Sequence, residues 1–271
     1  MSNLQLRVIS AVVLAIVALG LTWLGGLPFR LLCAVIAGVI FYEWTRMSRP
    51  AGGGGLGALP EALVLVFIGA LISGLSAPLL LPLVATVVVI TAVAAHVRGA
   101  GQWDASGVAY AAFSGLSLAL LRDGDRSGLI AILFLFAVVW ATDIFAYFVG
   151  RSVGGPKLAP SISPGKTRSG AVGGAVGGVV AGLVLAAVAG AGNLALLGLV
   201  ALVLSIVAQA GDLFESWVKR RHGRKDSGTL IPGHGGVMDR VDGLVAAAFA
   251  LYLIGWISAT ADHPAHGLFP A

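Results

Sequence analysis

Long apolar runs follow one another along the whole chain, near residues 8–24, 28–45, 61–77, 79–95, 107–121, 128–149, 170–191, 194–211 and 243–260. Runs of this length predict membrane-crossing helices, because about 20 apolar residues span a hydrocarbon core of ~30 Å. Nine spans is the expected number, and eight stands beside it. Only the Ser76–Pro78 break separates 61–77 from 79–95, and 107–121 is short. The first run exceeds the apolar stretch of a secretory signal and lacks a small-x-small cleavage site, so it reads as a retained span. The expected fold is all-α, a polytopic helical bundle forming a single membrane-embedded domain over 1–271. Within it, 1–126 supplies N-terminal helices. Residues 127–260 supply catalytic helices, with cytoplasmic loops at 150–169 and 212–242.

Composition supports this pattern. Of 271 residues, 58% are hydrophobic and only 11% charged, and the mean hydropathy is +0.97. Soluble domains carry roughly 25% charged residues, so an ordinary globular or disordered chain is excluded. Lys and Arg number 17 against 12 Asp and Glu. With the N-terminus inside, only Arg30, Arg122 and Arg126 fall outside, and the other 14 basic residues face the cytoplasm. That bias is the positive-inside signature of topology, so the net charge of +5 argues for a lipid bilayer and not for nucleic acid. The lone Cys33 lies in an apolar run and reads as a packing residue.

Small residues recur every four positions at Gly170, Gly174, Gly178, Gly182, Ala186 and Gly190. Such a ridge lets another helix backbone approach closely. Packing within the chain and a dimer contact are both open readings of it.

The 12 acidic residues are few enough for their places to carry information. Asp143 sits inside an apolar run, where a carboxylate costs several kcal/mol unless a cation, a partner or a wet cavity compensates it. Asp212, Glu215 and Ser216 stand three and four apart, on one helical face. A basic stretch follows, with Lys219, Arg220, Arg221, Arg224 and Lys225, which alone would read as an anchor for anionic lipid. Next comes Pro232-Gly-His234-Gly235-Gly236-Val-Met-Asp239-Arg240-Val-Asp242. Glycines of this density let backbone approach phosphate oxygens, and Mg²⁺ takes carboxylate oxygens beside phosphates. Carboxylates, cations and a Gly-rich turn together point to phosphoryl or nucleotidyl transfer.

The other polar loop holds Ser163, Gly165, Lys166 and Thr167. Gly-Lys-Thr is not a P-loop here, because Pro160 stands where that motif needs glycine and an apolar run precedes it. A helix beginning just after Thr167 would still offer a phosphate its N-terminal N–H groups. A simple turn with an N-cap is the competing reading.

The stretch Ser216-x-Val-Lys219-Arg220-x4-Lys225-Asp226-x-Gly228-x2-Ile-Pro232-x-His234-Gly-Gly-Val-x-Asp239-Arg240-Val-Asp242 resembles the signature of phosphatidate cytidylyltransferases. The likeness extends to Asp143-x-x-Ala-Tyr-x-x-Gly150-Arg151 and to the Ser-Pro-x-Lys-Thr loop. It implies transfer of a cytidylyl group from CTP to phosphatidate with Mg²⁺, by a homodimeric enzyme of the bacterial cell membrane. On that reading Asp212 and Asp239 hold metal and Asp143 is a third ligand. Asp212, Asp239, Lys219 and Lys225 form the catalytic set. Ser163, Lys166, Thr167 and Lys225 meet the triphosphate, and Lys219 and Arg220 the phosphatidate headgroup. Ser216, His234, Gly235, Gly236 and Arg240 complete the substrate contacts, with Asp226, Arg240 and Asp242 equally readable as supporting ion pairs. The rival classes are a CTP-dependent lipid kinase and a cation or lipid transporter.

Overall fold

The computed structural model describes residues 3–49, 56–231 and 235–270. Among these, nine α-helices follow the apolar runs: α1 (Asn3–Leu24), α2 (Gly26–Ser48), α3 (Leu59–Ser73), α4 (Ala77–Val97), α5 (Trp103–Arg122), α6 (Arg126–Val153), α7 (Arg168–Val188), α8 (Leu194–Arg221) and α9 (Met238–Ser258). Seven of them, α2 and α4 to α9, are long and apolar enough to cross a membrane. The chain is therefore a polytopic helical membrane protein. Two elements break the all-helical pattern: an antiparallel hairpin of β1 (Lys157–Ala159) and β2 (Ser163–Thr167), and a 3₁₀ turn, η1 (Pro264–Gly267).

Helix ends follow local chemistry. At Gly74 a left-handed backbone (φ 76°) terminates α3, whose last carbonyls accept N–H bonds from Gly74 and Leu75. The expected span at 61–77 is thus cut short, and Pro78 in the first turn of α4 starts the next. Asp125 caps α6 by accepting the Gly128 N–H, and Thr167 caps α7 by accepting that of Gly170. Helices α6 and α8 have 28 residues each, which is about 42 Å at 1.5 Å per residue. Both exceed a ~30 Å hydrocarbon core. The 212–221 stretch, expected as loop, is the polar end of α8.

Two compact units result, one of 1–120 with 222–240 and one of 121–221 with 241–271. In the first, Trp44 of α2 donates its indole N–H to the Trp103 carbonyl (2.8 Å) and packs on Tyr110 of α5. Gly107 sits under the Trp44 ring, where a Cβ would come within 2.5 Å. Arg49 ties the end of α2 to Asp104 (2.8 Å) and Glu61 (2.5 Å). His222 meets the edge of Trp103 with ring centroids 4.5 Å apart, so the segment after α8 packs with the N-terminal helices.

In the second unit α7 packs against α6 and α8. Its small ridge faces these two helices. A Cβ on Gly174 would come within 2.7 Å of the Thr142 carbonyl, and one on Gly178 within 2.4 Å of the Thr142 hydroxyl. One on Gly182 would meet Val138 and Ala201. Beneath the ridge Thr142 and Ser205 share a hydrogen bond of 2.7 Å. Of the two readings of the ridge, close packing within the chain is the one observed from Gly170 to Ala186. Gly190 lies past the helix in a left-handed turn (φ 77°).

Candidate active site

In the second unit, the hairpin, the N-terminus of α7, the end of α8 and α9 from Val241 onward bring together much of the chemistry. Asp212 is half-buried near the polar end of α8. One of its oxygens meets the Lys166 ammonium of β2, and the other accepts the Ser216 hydroxyl at 3.4 Å. One turn on, Glu215 is completely buried, and Lys219 donates to its Oε2 at 2.8 Å. Glu215 Oε1 is buried with no hydrogen-bond partner. Asp242 of α9 lies against Glu215 and within electrostatic reach of Asp212. Three carboxyl groups thus meet two lysine ammoniums. A buried carboxylate needs compensation, and hard carboxylate oxygens suit Mg²⁺. The Lys166 ammonium already occupies a cation's place against Asp212. These donors fit a divalent cation.

The hairpin is held from both ends. Arg220 of α8 donates to the Ile162 carbonyl in the turn (3.4 Å), and the Arg168 N–H donates to that of Pro156 (2.9 Å). Thr167 is buried, and its hydroxyl accepts the Gly170 N–H at 3.1 Å while meeting Ser169. That is the capping role the turn reading anticipated. Gly150 and Gly170 allow α6 and α7 to cross here, since a Cβ on Gly150 would come within 2.8 Å of the Thr167 hydroxyl. Ser163 opens β2 and is partly exposed. Asp143 is exposed on α6, next to the buried Thr142.

In the first unit lies the Gly-rich segment, with Lys225, Asp226 and Arg240 exposed along it. Ile231 and Gly235 pair in an antiparallel bridge (2.9 Å), and His234 lies outside the described residues. Asp239, in the first turn of α9, accepts the Gly236 N–H at 2.9 Å and the Ser227 N–H at 3.0 Å. A second carboxylate does more of the holding. Glu43 of α2, 1% exposed, accepts the Ser227 hydroxyl (3.1 Å), the Val237 N–H (2.9 Å) and the Met238 N–H (2.8 Å).

These two acids explain the glycines. A Cβ on Gly236 would come within 2.1 Å of the Ser227 hydroxyl and 2.6 Å of both Glu43 oxygens. On Gly228 it would come within 2.7 Å of Glu43 Oε1, and on Gly235 within 2.8 Å of Asp239. The sequence reading assigned this glycine density to phosphate approach. The observed close approach is to carboxylates of the chain itself. Glu43 escaped that reading, although a lone acid within an apolar run carries the same signal that singled out Asp143.

Asp212, Lys166, Ser216, Lys219 and Arg220 therefore share one unit with Glu215 and Asp242. Asp239, Gly235 and Gly236 belong to the other with Glu43, Lys225 and Arg240.

Comparison with known proteins covers the whole of this arrangement. A model described as "Cytidylyltransferase family" matches residues 5–258. A phosphatidate cytidylyltransferase of Brucella suis is 50% identical over 264 residues, covering 97% of each chain. One of Pseudomonas aeruginosa is 38% identical, covering 93% of this chain and 98% of its own. One of Bacillus subtilis is 34% identical, covering 94% and 98%.

Proposed function

Because the chain belongs to the cytidylyltransferase family, we infer that it is a phosphatidate cytidylyltransferase. It joins CTP and phosphatidate to give CDP-diacylglycerol and pyrophosphate for phospholipid synthesis. The observation that carries this is 50% identity over 97% of the chain to a protein of that name.

We further propose how the residues divide the work. A phosphate oxygen of phosphatidate attacks the α-phosphorus of CTP, and pyrophosphate departs in line. Both partners are anions, so catalysis consists mainly of positioning and charge neutralisation. Asp212 would hold Mg²⁺, with the carboxyl groups of Glu215 and Asp242 beside it in the same cluster. When bound, the cation neutralises charge on the reacting phosphates. Asp239 and Asp143 retain their sequence-based assignment as metal ligands, with Asp239 also anchoring its loop. Lys166 exchanges its pairing with Asp212 for the triphosphate, beside Ser163 and the capped N-terminus of α7. Lys225, on the Gly-rich segment, carries a second positive charge for the nucleotide. Lys219 and Arg220, at the polar end of α8, are placed for the phosphatidate headgroup. Thr167 acts through the cap it makes.

The positive-inside bias supports an N-terminus and catalytic loops on the cytoplasmic side of a bacterial cell membrane. The homodimer rests on the family resemblance. The ridge of α7 is already filled by α6 and α8, so a dimer would use another surface.

The test supplies purified protein with phosphatidate micelles, Mg²⁺ and CTP labelled at either the α- or the γ-phosphorus. The α-label should become lipid-extractable and the γ-label should leave as pyrophosphate. Label reaching lipid only from the γ position would establish a kinase and overturn the reading.

A further inference from the structure

At the far end of α6 from the hairpin, a second group of ligating side chains takes no part in the transfer chemistry. We propose that Asp123, His263 and His266 form a binding site for a divalent transition metal, with Zn²⁺ as its occupant. One ligand atom from each lies within 4.8 Å of the other two. His263 Nδ1 is 2.5 Å from Asp123 Oδ2, and His266 Nε2 is 4.0 Å from the same oxygen. Zinc bonds of about 2.0–2.1 Å place tetrahedral ligands about 3.3 Å apart. Small rotations of two exposed imidazoles therefore suffice to close the set.

The backbone prepares this arrangement. Pro264 begins η1, in which three residues make a turn, so side chains three apart eclipse one another. His263 and His266 accordingly stack, with centroids 4.9 Å apart and planes within 13°. Opposite them, Asp123 is the only described non-glycine residue with a left-handed backbone, at φ 41°. Such strain persists where surroundings over-determine it. Here Arg122 clamps the turn by donating to the Asp123 and Asp125 carbonyls at 3.2 and 3.1 Å.

Each carboxylate has one oxygen fixed and one presented. Asp123 Oδ1 accepts the Gly124 N–H (2.7 Å), which leaves Oδ2 toward the histidines. Asp125 Oδ1 accepts the Ser127 hydroxyl (2.7 Å) and the Gly128 N–H (2.9 Å), while its Oδ2 meets His266 Nε2. Asp125 is thus poised as a fourth ligand. Two imidazoles and two carboxylates oriented by outer hydrogen bonds are a zinc donor set, and the outer bonds are what hold such ligands in place. Two such carboxylates with two imidazoles do not suit Mg²⁺, which prefers oxygen ligands in octahedral geometry. The site is separated from the hairpin by the length of α6, so its occupancy is independent of the transfer reading.

The experiment uses the full chain in detergent, without a polyhistidine tag, stripped with chelator and held at pH 7.5. Zn²⁺ is titrated in competition with a chromogenic chelator, in millimolar Mg²⁺, and Co²⁺ absorption reports geometry. One Zn²⁺ per chain is expected, with a tetrahedral Co²⁺ spectrum and a melting temperature raised by the metal. Asp123→Asn should weaken binding by about tenfold or more, and H263A/H266A should abolish the site while its elution profile and cytidylyl transfer stay normal. His96→Ala, remote in sequence from the cluster, should bind as the parent does. Absence of binding in the parent protein, or equal binding by H263A/H266A, would overturn the proposal.

Discussion

Met238 donates its backbone N–H to the Glu43 carboxylate at 2.8 Å, across 195 positions of sequence. Val237 and Ser227 donate to the same group, so one buried acid of α2 fixes both the Gly-rich segment and the start of α9. Hydrogen bonds to a charged group contribute about 1.5–3 kcal/mol each, and a buried donor left unpaired costs about as much. Glu43→Gln keeps the size but turns an amide N–H₂ toward donors. It should lower kcat/KM for CTP by about tenfold or more, since 1.4 kcal/mol corresponds to a factor of ten. Glu43→Ala should also lower the melting temperature. Initial rates over CTP and phosphatidate concentrations, with thermal melts, check this; parental kinetics in Glu43→Gln would show that the charge is dispensable.

The glycines give a second test. Gly236→Ala places a methyl group within 2.1 Å of the Ser227 hydroxyl and against Glu43, whereas a Cβ on Gly165 would meet nothing within 4 Å. Overpacking of this kind costs about 1–3 kcal/mol. Gly236→Ala should therefore melt earlier and lose most of its activity, while Gly165→Ala should keep its melting temperature. Equal melting of the two variants would separate the Gly-rich segment from Glu43.

Much of this organisation was legible in the chain. Hydropathy located every described α-helix because a membrane span must satisfy its own backbone hydrogen bonds, which forces long apolar runs. It missed the last turns of α8, because the apolar run ends before Asp212 while the helix continues to Arg221. It missed the hairpin, whose strands are only three and five residues long and contain Pro164 and Gly165. The face shared by Asp212, Glu215 and Ser216 followed from helical spacing. That Lys166 and Asp242 would join it did not, because those contacts depend on how the hairpin and separate helices pack. Glu43 is the extreme case. Two of its partners are the backbone N–H groups of Val237 and Met238, which leave no mark in the residue types, and they lie nearly 200 positions away.

Substitutions at the two signature aspartates should behave differently. Asp212 is bonded to two partly exposed side chains, Lys166 and Ser216, so Asp212→Asn should abolish turnover with little change in melting temperature. Asp239 accepts the N–H groups of Ser227 and Gly236, so Asp239→Asn should abolish turnover and destabilise the protein by about 1–3 kcal/mol. The pair is checked by label transfer beside thermal melts. Normal turnover in Asp212→Asn would remove it from the catalytic set.

Metal-free protein should hold its C-terminal tail in a pH-dependent way. The His263 pKa is raised above 6.5, chiefly by its hydrogen bond to Asp123, with burial opposing and nearby carboxylates assisting. A raised pKa means that this pairing stabilises the fold fully below about pH 6.5 and is lost as pH rises through the folded value. For Asp125, burial acts upward, but the Gly128 N–H, the Ser127 hydroxyl and His266 outweigh it and bring the pKa from 3.8 down to about 2. Its contribution is therefore present above pH 3.8 and lost as pH falls through about 2. Between those limits both pairs hold η1 to the turn before α6. Hydrogen exchange at residues 263–269 should be slowest from about pH 4 to 6.5 and should quicken toward alkaline pH after correction for intrinsic rates. In Asp123→Asn the alkaline quickening should flatten, because the amide retains no charge to favour the imidazolium. Unchanged alkaline behaviour in that variant would mean that His263 does not hold the tail through Asp123.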